Sequence, residues 1–319
     1  MSGRNRLKAV VDSPWAMPLR GALLIKQVAA EQKKVKEIAK ELNLPLFSRN
    51  AVVPLLRREN DTFFILGSGA SVNALTPSHF QEIASGFSVG INAWVSHDFA
   101  PNAYSFEGDG IPEPASAEIL TMSRALLKKS KSSKDLVLFL LRPKRADLAH
   151  RTVVVPESLR PRAFVYGRQN LVTKFLPNLY PDLAWSIPRF PGRRCDSVVI
   201  DNGASVVRLI SIARVLGFTK IVLVGIDLNA SPYFWNSSDA SKKTLEEFRD
   251  YPRPTMSRHD TLETGNRPFS TLDFIVALSN VVSDKAGIEI FNGSSSSSLR
   301  DHLRDYPWQH GKNGSGQNA

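Results

Sequence analysis

Residue types that could do chemistry gather first at Gly67-Ser68-Gly69-Ala70-Ser71. Two glycines in a turn let backbone N–H groups approach a phosphate with no Cβ in the way, and a helix N-terminus beyond the turn favours negative charge. The fingerprint is partial. A dinucleotide turn wants a third glycine where Val72 stands, and no Walker Lys-Ser/Thr follows. A nucleotide edge and a plain strand-to-helix turn therefore both stay open. A second group is Glu107-Gly108-Asp109, two carboxylates close enough to share a divalent cation. A third is Asp227, directly after the apolar run Ile221-Val-Leu-Val-Gly225. The polar, Pro-interrupted segment from Ala230 to Phe269 carries Tyr233, Phe234, Trp235, Tyr251 and His259. Segments of that length without strong periodicity often cover a site as a lid.

The elements that must position these residues read as alternating buried strands and helices. Phe63–Leu66 is an apolar run too short for a helix, ending in the glycine turn, which is how a buried parallel strand reads. Leu75 to Ile83 reads as a short helix. Phe87–Ile91 is a second strand that delivers Asn92, and Ala103–Phe106 is a third that delivers Glu107. Leu136–Leu141 reads as a fully buried strand, and Ala163–Tyr166 as a short one within an otherwise unclear stretch from Arg142 to Pro191. Asn202-Gly203-Ala204-Ser205 opens an apolar helix that stops at Gly217, and a strand to Val224 follows. Thr271–Val282 reads as a closing helix and Ile288–Phe291 as a last strand. This alternation predicts an α/β, doubly wound, mostly parallel, Rossmann-like sheet, with ligands beyond the carboxyl ends of the strands. Ser294–Ser298 reads either as a linker or as part of such an end.

With 319 residues and 42% hydrophobic content, the chain can build a substantial core. Cys195 is its one cysteine, which excludes an intrachain disulfide and a cysteine-built zinc site. No apolar run reaches a membrane-spanning length and the N-terminus lacks the apolar core of a secretory signal, so a cytoplasmic location is expected. The net charge of +11 favours anionic partners. Part of it lies in Lys128-Lys129-Ser-Lys131-Ser-Ser-Lys134, read as a solvated loop, and part in the first 60 residues. There Leu24, Val28, Val35, Ile38 and Leu42 recur at helical spacing between lysines, a basic amphipathic helix suited to packing or to an anionic membrane surface. Without zinc-finger spacing or an RNP-type aromatic strand, no nucleic-acid partner is expected.

Leu66-Gly-Ser-Gly-Ala-Ser71, Gly90-Ile-Asn92, Gly203 opening its helix, and Leu216-Gly-Phe-Thr-Lys-Ile-Val-Leu-Val-Gly-Ile-Asp227 together resemble the bacterial sialyltransferases of glycosyltransferase family 42. The resemblance runs from about Thr62 to Leu299, with a poorly matched middle from about Gly110 to Arg194. It implies a GT-A-type variant of the fold, a CMP-linked nonulosonic acid donor, and a metal-free inverting transfer to a glycan or glycolipid acceptor. It further implies His259 as general base and Tyr233 as support for the leaving phosphate. A neutral imidazole can take the acceptor proton, and Asp260 beside it can raise its basicity. His97 is the rival base. The nucleotide or donor contacts it implies are Gly67, Ser68, Gly69, Ser71, Asn92, Glu107, Asn202, Gly203, Asp227 and Ser296. Three departures stand out: Ser68 replaces the usual Asn of the turn, Glu107 replaces a polar neutral residue at the end of the third strand, and Asn229 falls where a second tyrosine is usual. No cofactor and no metal are required, unless Glu107 and Asp109 bind a divalent cation.

The expected organisation is a basic helical extension over 1–60, a nucleotide-binding α/β domain over 61–229 and 270–300, a lid over 230–269, and a partly disordered tail over 301–319. The function implied is sialyltransferase-like sugar transfer for surface polysaccharide, at the cytoplasmic side and peripheral to the inner membrane face, with a homo-oligomer compatible. A related block in pterin diphosphokinase-like proteins supplies one alternative, an ATP- and Mg²⁺-dependent transferase with Glu107, Asp109 and Asp227 as ligands. A non-catalytic basic binding module is the other.

Overall fold

Residue 13 and residues 16–106, 115–133, 135–141, 154–171, 176–187, 196–229, 233–236 and 269–309 are described in the computed structural model. The apolar runs become eight strands: β1 (Thr62–Leu66), β2 (Phe87–Ile91), β3 (Ala103–Phe106), β4 (Val137–Leu141), β5 (Ala163–Asn170), β6 (Val198–Asp201), β7 (Lys220–Val224) and β8 (Glu289–Asn292). They form one sheet in the order β6-β5-β4-β3-β2-β1-β7-β8. Every pairing is parallel. At its centre, Leu66 of β1 lies in register with Gly90 of β2 and Val224 of β7. The doubly wound α/β expectation holds.

Side chains of β1 alternate between two cores. Phe63 and Ile65 face one formed by helices α5 (Leu179–Ser186), α6 (Ser205–Leu216) and α7 (Thr271–Ala286). Phe64 and Leu66 face the other, with Ile83 of α3 (Pro77–Ser85) and Met122 and Leu126 of α4 (Ala115–Ser132). Both faces are covered, which is why these strands read as unbroken apolar runs. Lys128, Lys129 and Lys131, expected in a loop, instead end α4, with Lys129 and Lys131 in its last turn; Lys134 lies outside the described residues. Cations there complement the partial negative charge of the helix C-terminus.

From residue 16 onward the N-terminal segment is packed on the sheet domain. Helix α1 (Met17–Glu41) packs on β5 and α5, and buries Leu24, Val28, Val35 and Ile38. Its Arg20 is 2% exposed and donates from Nε to Asp182 of α5 at 2.8 Å. The apolar stripe that the membrane reading relied on is thus inside the protein. Helix α2 (Arg49–Val52) follows, and Ser48 caps it by accepting the Ala51 N–H at 3.2 Å.

The stretch from 301 is likewise built in as far as residue 309. The Tyr306 N–H donates to the Asn292 carbonyl at 2.7 Å, and Trp308 stacks on Phe64 with ring centroids 6.1 Å apart. The Gln309 N–H donates to Glu82 Oε2 at 2.9 Å. Residues 310–319 lie outside the described residues, as does 237–268 of the expected lid. No helix among the described residues is long and apolar enough to cross a membrane.

Candidate functional site

In this strand order β1 leads one way, through α3 to β2, and β7 leads the other way, through α7 to β8. The carboxyl ends of β1 and β7 therefore flank the topological switch point, where open α/β sheets bind ligands. The β1 turn and the β7 exit meet there in close contact. The Gly67 N–H donates to the Val224 carbonyl at 2.7 Å, and the Gly69 N–H to the Gly225 carbonyl at 2.9 Å. A Cβ on Gly69 would collide with the Asp227 carboxylate and lie 2.8 Å from the Gly225 carbonyl oxygen. A Cβ on Gly67 would lie 2.5 Å from that same oxygen. The glycines thus serve the approach of two protein segments, and their amides bond to protein.

Asp227 is 6% exposed and accepts two hydrogen bonds from Ser71. One comes from the Ser71 N–H to Oδ2 at 3.1 Å, the other from the Ser71 hydroxyl to Oδ1. Its carboxylate therefore caps the short 3-10 helix Ala70–Ala74, where Gly69 offers no side chain. Ser68 and Gly69, at the tip of the turn, are only half buried.

The serine tract is not a linker. Ser294 Oγ accepts the Gly225 N–H at 2.7 Å, and Ser297 Oγ donates to the Ile226 carbonyl at 2.6 Å. The Ser298 N–H donates to the Asp227 carbonyl at 2.9 Å, and Asn229 Nδ2 to the Ser296 carbonyl at 2.7 Å. Between these ties Leu228 holds φ +50, a backbone region unfavourable to a branched side chain. It persists because neighbours over-determine it. Ser296 itself is exposed.

Residues 233–236 close onto the same turn. Gly69 and Tyr233 form an antiparallel bridge, and the Phe234 N–H donates to the Ser68 carbonyl at 2.9 Å. The half-buried Tyr233 ring stacks on Trp235 with centroids 4.5 Å apart. Gly67, Ser68, Gly69, Ser71, Asp227, Tyr233 and Ser296 are therefore brought together. Asn92 opens the 3-10 turn after β2, the strand beside β1.

Asn202 and Gly203 fall elsewhere, after β6 at the edge of the sheet, five strand positions from β1. There the sequence reading missed two residues. Asp201 and Arg208 form an ion pair at 2.9 Å with both side chains 0% exposed. Asp201 Oδ1 also accepts the Gly203 N–H at 2.8 Å, and Arg208 donates to Ser205 Oγ at 2.9 Å. Ser205 is the first helical residue, and Ala204 before it offers no capping side chain. The signal was available: Arg208 is the one charged residue from Ser205 to Ala213, seven residues after a strand-end acid. Both amide atoms of Asn202 are buried without a hydrogen-bond partner among the described residues. Glu107, Asp109 and His259 lie outside the described residues. Among the described residues no group of three or more His, Cys, Asp or Glu is placed to hold a metal ion.

His97 is placed as an organiser of its own loop. Nδ1 accepts the Phe99 N–H at 3.0 Å, which leaves the proton on Nε2. The ring stacks on Trp94 at 4.4 Å and meets Phe234 edge-on at 5.2 Å. Burial lowers its pKa from 6.5 to about 4; Asp98 opposes the shift and Lys129 adds to it. So weak a base is poorly matched to proton abstraction near neutrality. Between pH 6.5 and 4 the unfolded chain takes up a proton that the folded one refuses, so stability falls as pH drops through that window. In His97→Asn the amide oxygen still accepts the Phe99 N–H. This variant should lose about 2 kcal/mol less stability than the parent over that window. Urea midpoints at the two pH values measure it, and equal losses in both proteins would assign the titration to another group.

No protein-family model matches the sequence, and no curated protein matches it. Among solved structures, the chain is similar to the monofunctional alpha-2,3-sialyltransferase Cst-I from Campylobacter jejuni. That match has 14% identity and a TM-score of 0.41 over 78% of this chain and 82% of that one. The sialyltransferase CST-II in complex with trisaccharide acceptor and CMP matches at 14% identity and a TM-score of 0.40, over 77% and 86%. CstII from Campylobacter jejuni in complex with CMP-3FNeuAc matches at 15% and 0.41, over 77% and 87%. These are resemblances of fold.

Proposed function

We propose that the chain is a glycosyltransferase that moves an acidic, nonulosonic-type sugar from a CMP-activated donor to a glycan or glycolipid acceptor, by metal-independent inverting displacement. The observation that carries this reading is the convergence of the β1 turn, Asp227, Asn229, the serine tract and Tyr233 at the switch point between β1 and β7. Tyr233 is assigned as the hydrogen-bond donor to the departing phosphate, a neutral group that would do what a cation does elsewhere. Asn202, five strand positions from β1 and so about 24 Å away at the usual strand spacing, is too distant to share a donor held at the switch point. His259 is the base, on the strength of its place in the sequence before α7. The diphosphokinase-like alternative needs Asp227 as a metal ligand, yet both Asp227 oxygens already accept bonds from Ser71.

A thermal-shift panel with CMP, CDP, UDP, GDP and ATP, each with Mg²⁺ and with EDTA, tests the reading. Ligands that bind only the native state raise the melting temperature by mass action. CMP or CDP should do so in EDTA. His259→Ala should keep that shift and lose about 10²–10⁴-fold in transfer rate. A shift confined to ATP with Mg²⁺ would replace this reading with the kinase-like one. Silence throughout would leave the binding module.

A further inference from the structure

We propose that the outward face of α1 is a docking surface for an anionic lipid bilayer. This inference is independent of the transfer reading. The inner stripe of the helix is buried, so whatever α1 does beyond packing must come from the side that faces solvent. Lys26, Lys33, Lys36 and Lys40 are all exposed there. At 100° per residue they fall within an arc of about 80°. None of the four makes an ion pair among the described residues.

The same side carries apolar residues toward its N-terminal half. Leu19 is 41% exposed and Ile25 52%, and Ala22 and Ala29 between and beyond them are exposed too. Together with the lysines they occupy an arc of about 120° along roughly 30 Å of helix. Exposed Leu and Ile beside a lysine row is the pattern of a helix lying in a membrane interface. There the apolar side chains enter between headgroups and the lysine stems carry their ammonium groups to the phosphates. Glu37 and Glu41 stand on one flank of the stripe and Lys34 beyond them, so five exposed lysines face two exposed glutamates on this helix.

Nucleic acid would be attracted by the same charge. It is the less suitable occupant, because α1 holds no aromatic side chain for stacking bases, and its one arginine, Arg20, is buried against Asp182. Bilayer contact also gives Leu19 and Ile25 a use that a phosphate backbone does not.

The test uses the full chain with sedimented vesicles of phosphatidylglycerol or of phosphatidylcholine. Binding is expected to the anionic vesicles only, weakening as salt rises from about 0.1 to 0.5 M. The quadruple variant K26Q/K33Q/K36Q/K40Q should bind at least about tenfold more weakly. The double variant L19S/I25S should lose about fivefold or more, a change that a purely electrostatic contact would not produce. All six positions are exposed, and an unchanged melting temperature will verify folding. The CMP-induced thermal shift should be unaltered in both variants, so failure here and failure of the transfer reading are separable. Absence of binding to anionic vesicles would overturn the proposal, as would binding that neither variant weakens. So would a quadruple variant that loses duplex DNA or RNA binding while L19S/I25S still binds vesicles fully.

Discussion

Arg208→Met is expected to destabilise the protein by about 3–5 kcal/mol, because it leaves the Asp201 carboxylate buried without its cation. Arg208 and Asp201 have side chains 0% exposed, and the remaining cation nearby, Arg168, is 3.8 Å from Oδ2 and 29% exposed. Methionine fills much of the volume of the arginine stem, so among the described residues the loss is mainly electrostatic. Removing both charges tells the same story from the other side. Asp201→Leu with Arg208→Met should recover at least about 2 kcal/mol relative to the sum of the single variants, since an apolar pair needs no desolvation of ions. Urea unfolding of the three variants measures this coupling, and simple additivity would show the two groups to be independent. The pair also holds the turn that carries Asn202, through the Gly203 N–H on Asp201 and the Ser205 hydroxyl under Arg208.

That pair shows where sequence reasoning reached and where it stopped. β1, β2, β3, β4, β7 and β8 were legible because a parallel strand covered on both faces is a short apolar run ending in turn residues. Helix α6 was legible from its apolar run and its stop at Gly217. Strand order was not. Nothing local to Val198–Asp201 says that β6 is the far edge of the sheet, so Asn202 and Asp227 were both assigned to one donor. Pairs distant in sequence were equally hidden: Arg20 and Asp182 are 162 positions apart, and a cation on an amphipathic helix reads as solvated until its partner arrives. Helix α4 was masked by its charge, since Met122 and Leu126 are too few to advertise a period against so many lysines. At the β1 turn the sequence left open a nucleotide edge and a plain strand-to-helix turn. Glycine was needed there for close approach, and the approaching group is protein.

The turn itself yields the sharpest expectation for the candidate site. Gly69→Ala should destabilise the protein by about 3 kcal/mol, at the upper end for overpacking, because the obstacles include backbone. The new methyl would meet the Asp227 carboxylate and the Gly225 carbonyl oxygen, and neither can move freely. The first is bound by Ser71, and the second accepts the Gly69 N–H itself. Relief can come only by opening the contact between the β1 turn and the β7 exit, which would also strain the serine ties behind Gly225 and Asp227. Ser71→Ala provides the control. It removes the hydroxyl bond to Asp227 but keeps the N–H bond and adds no bulk, so about 1–3 kcal/mol is expected. If the switch point holds the donor, both variants should weaken nucleotide binding in proportion to how far the turn opens, with Gly69→Ala the more severe. The two losses can be compared by titrating CMP against melting temperature. A Gly69→Ala protein as stable as its parent would mean that the turn and the exit are not packed as described, and the site built on their contact would fall with it.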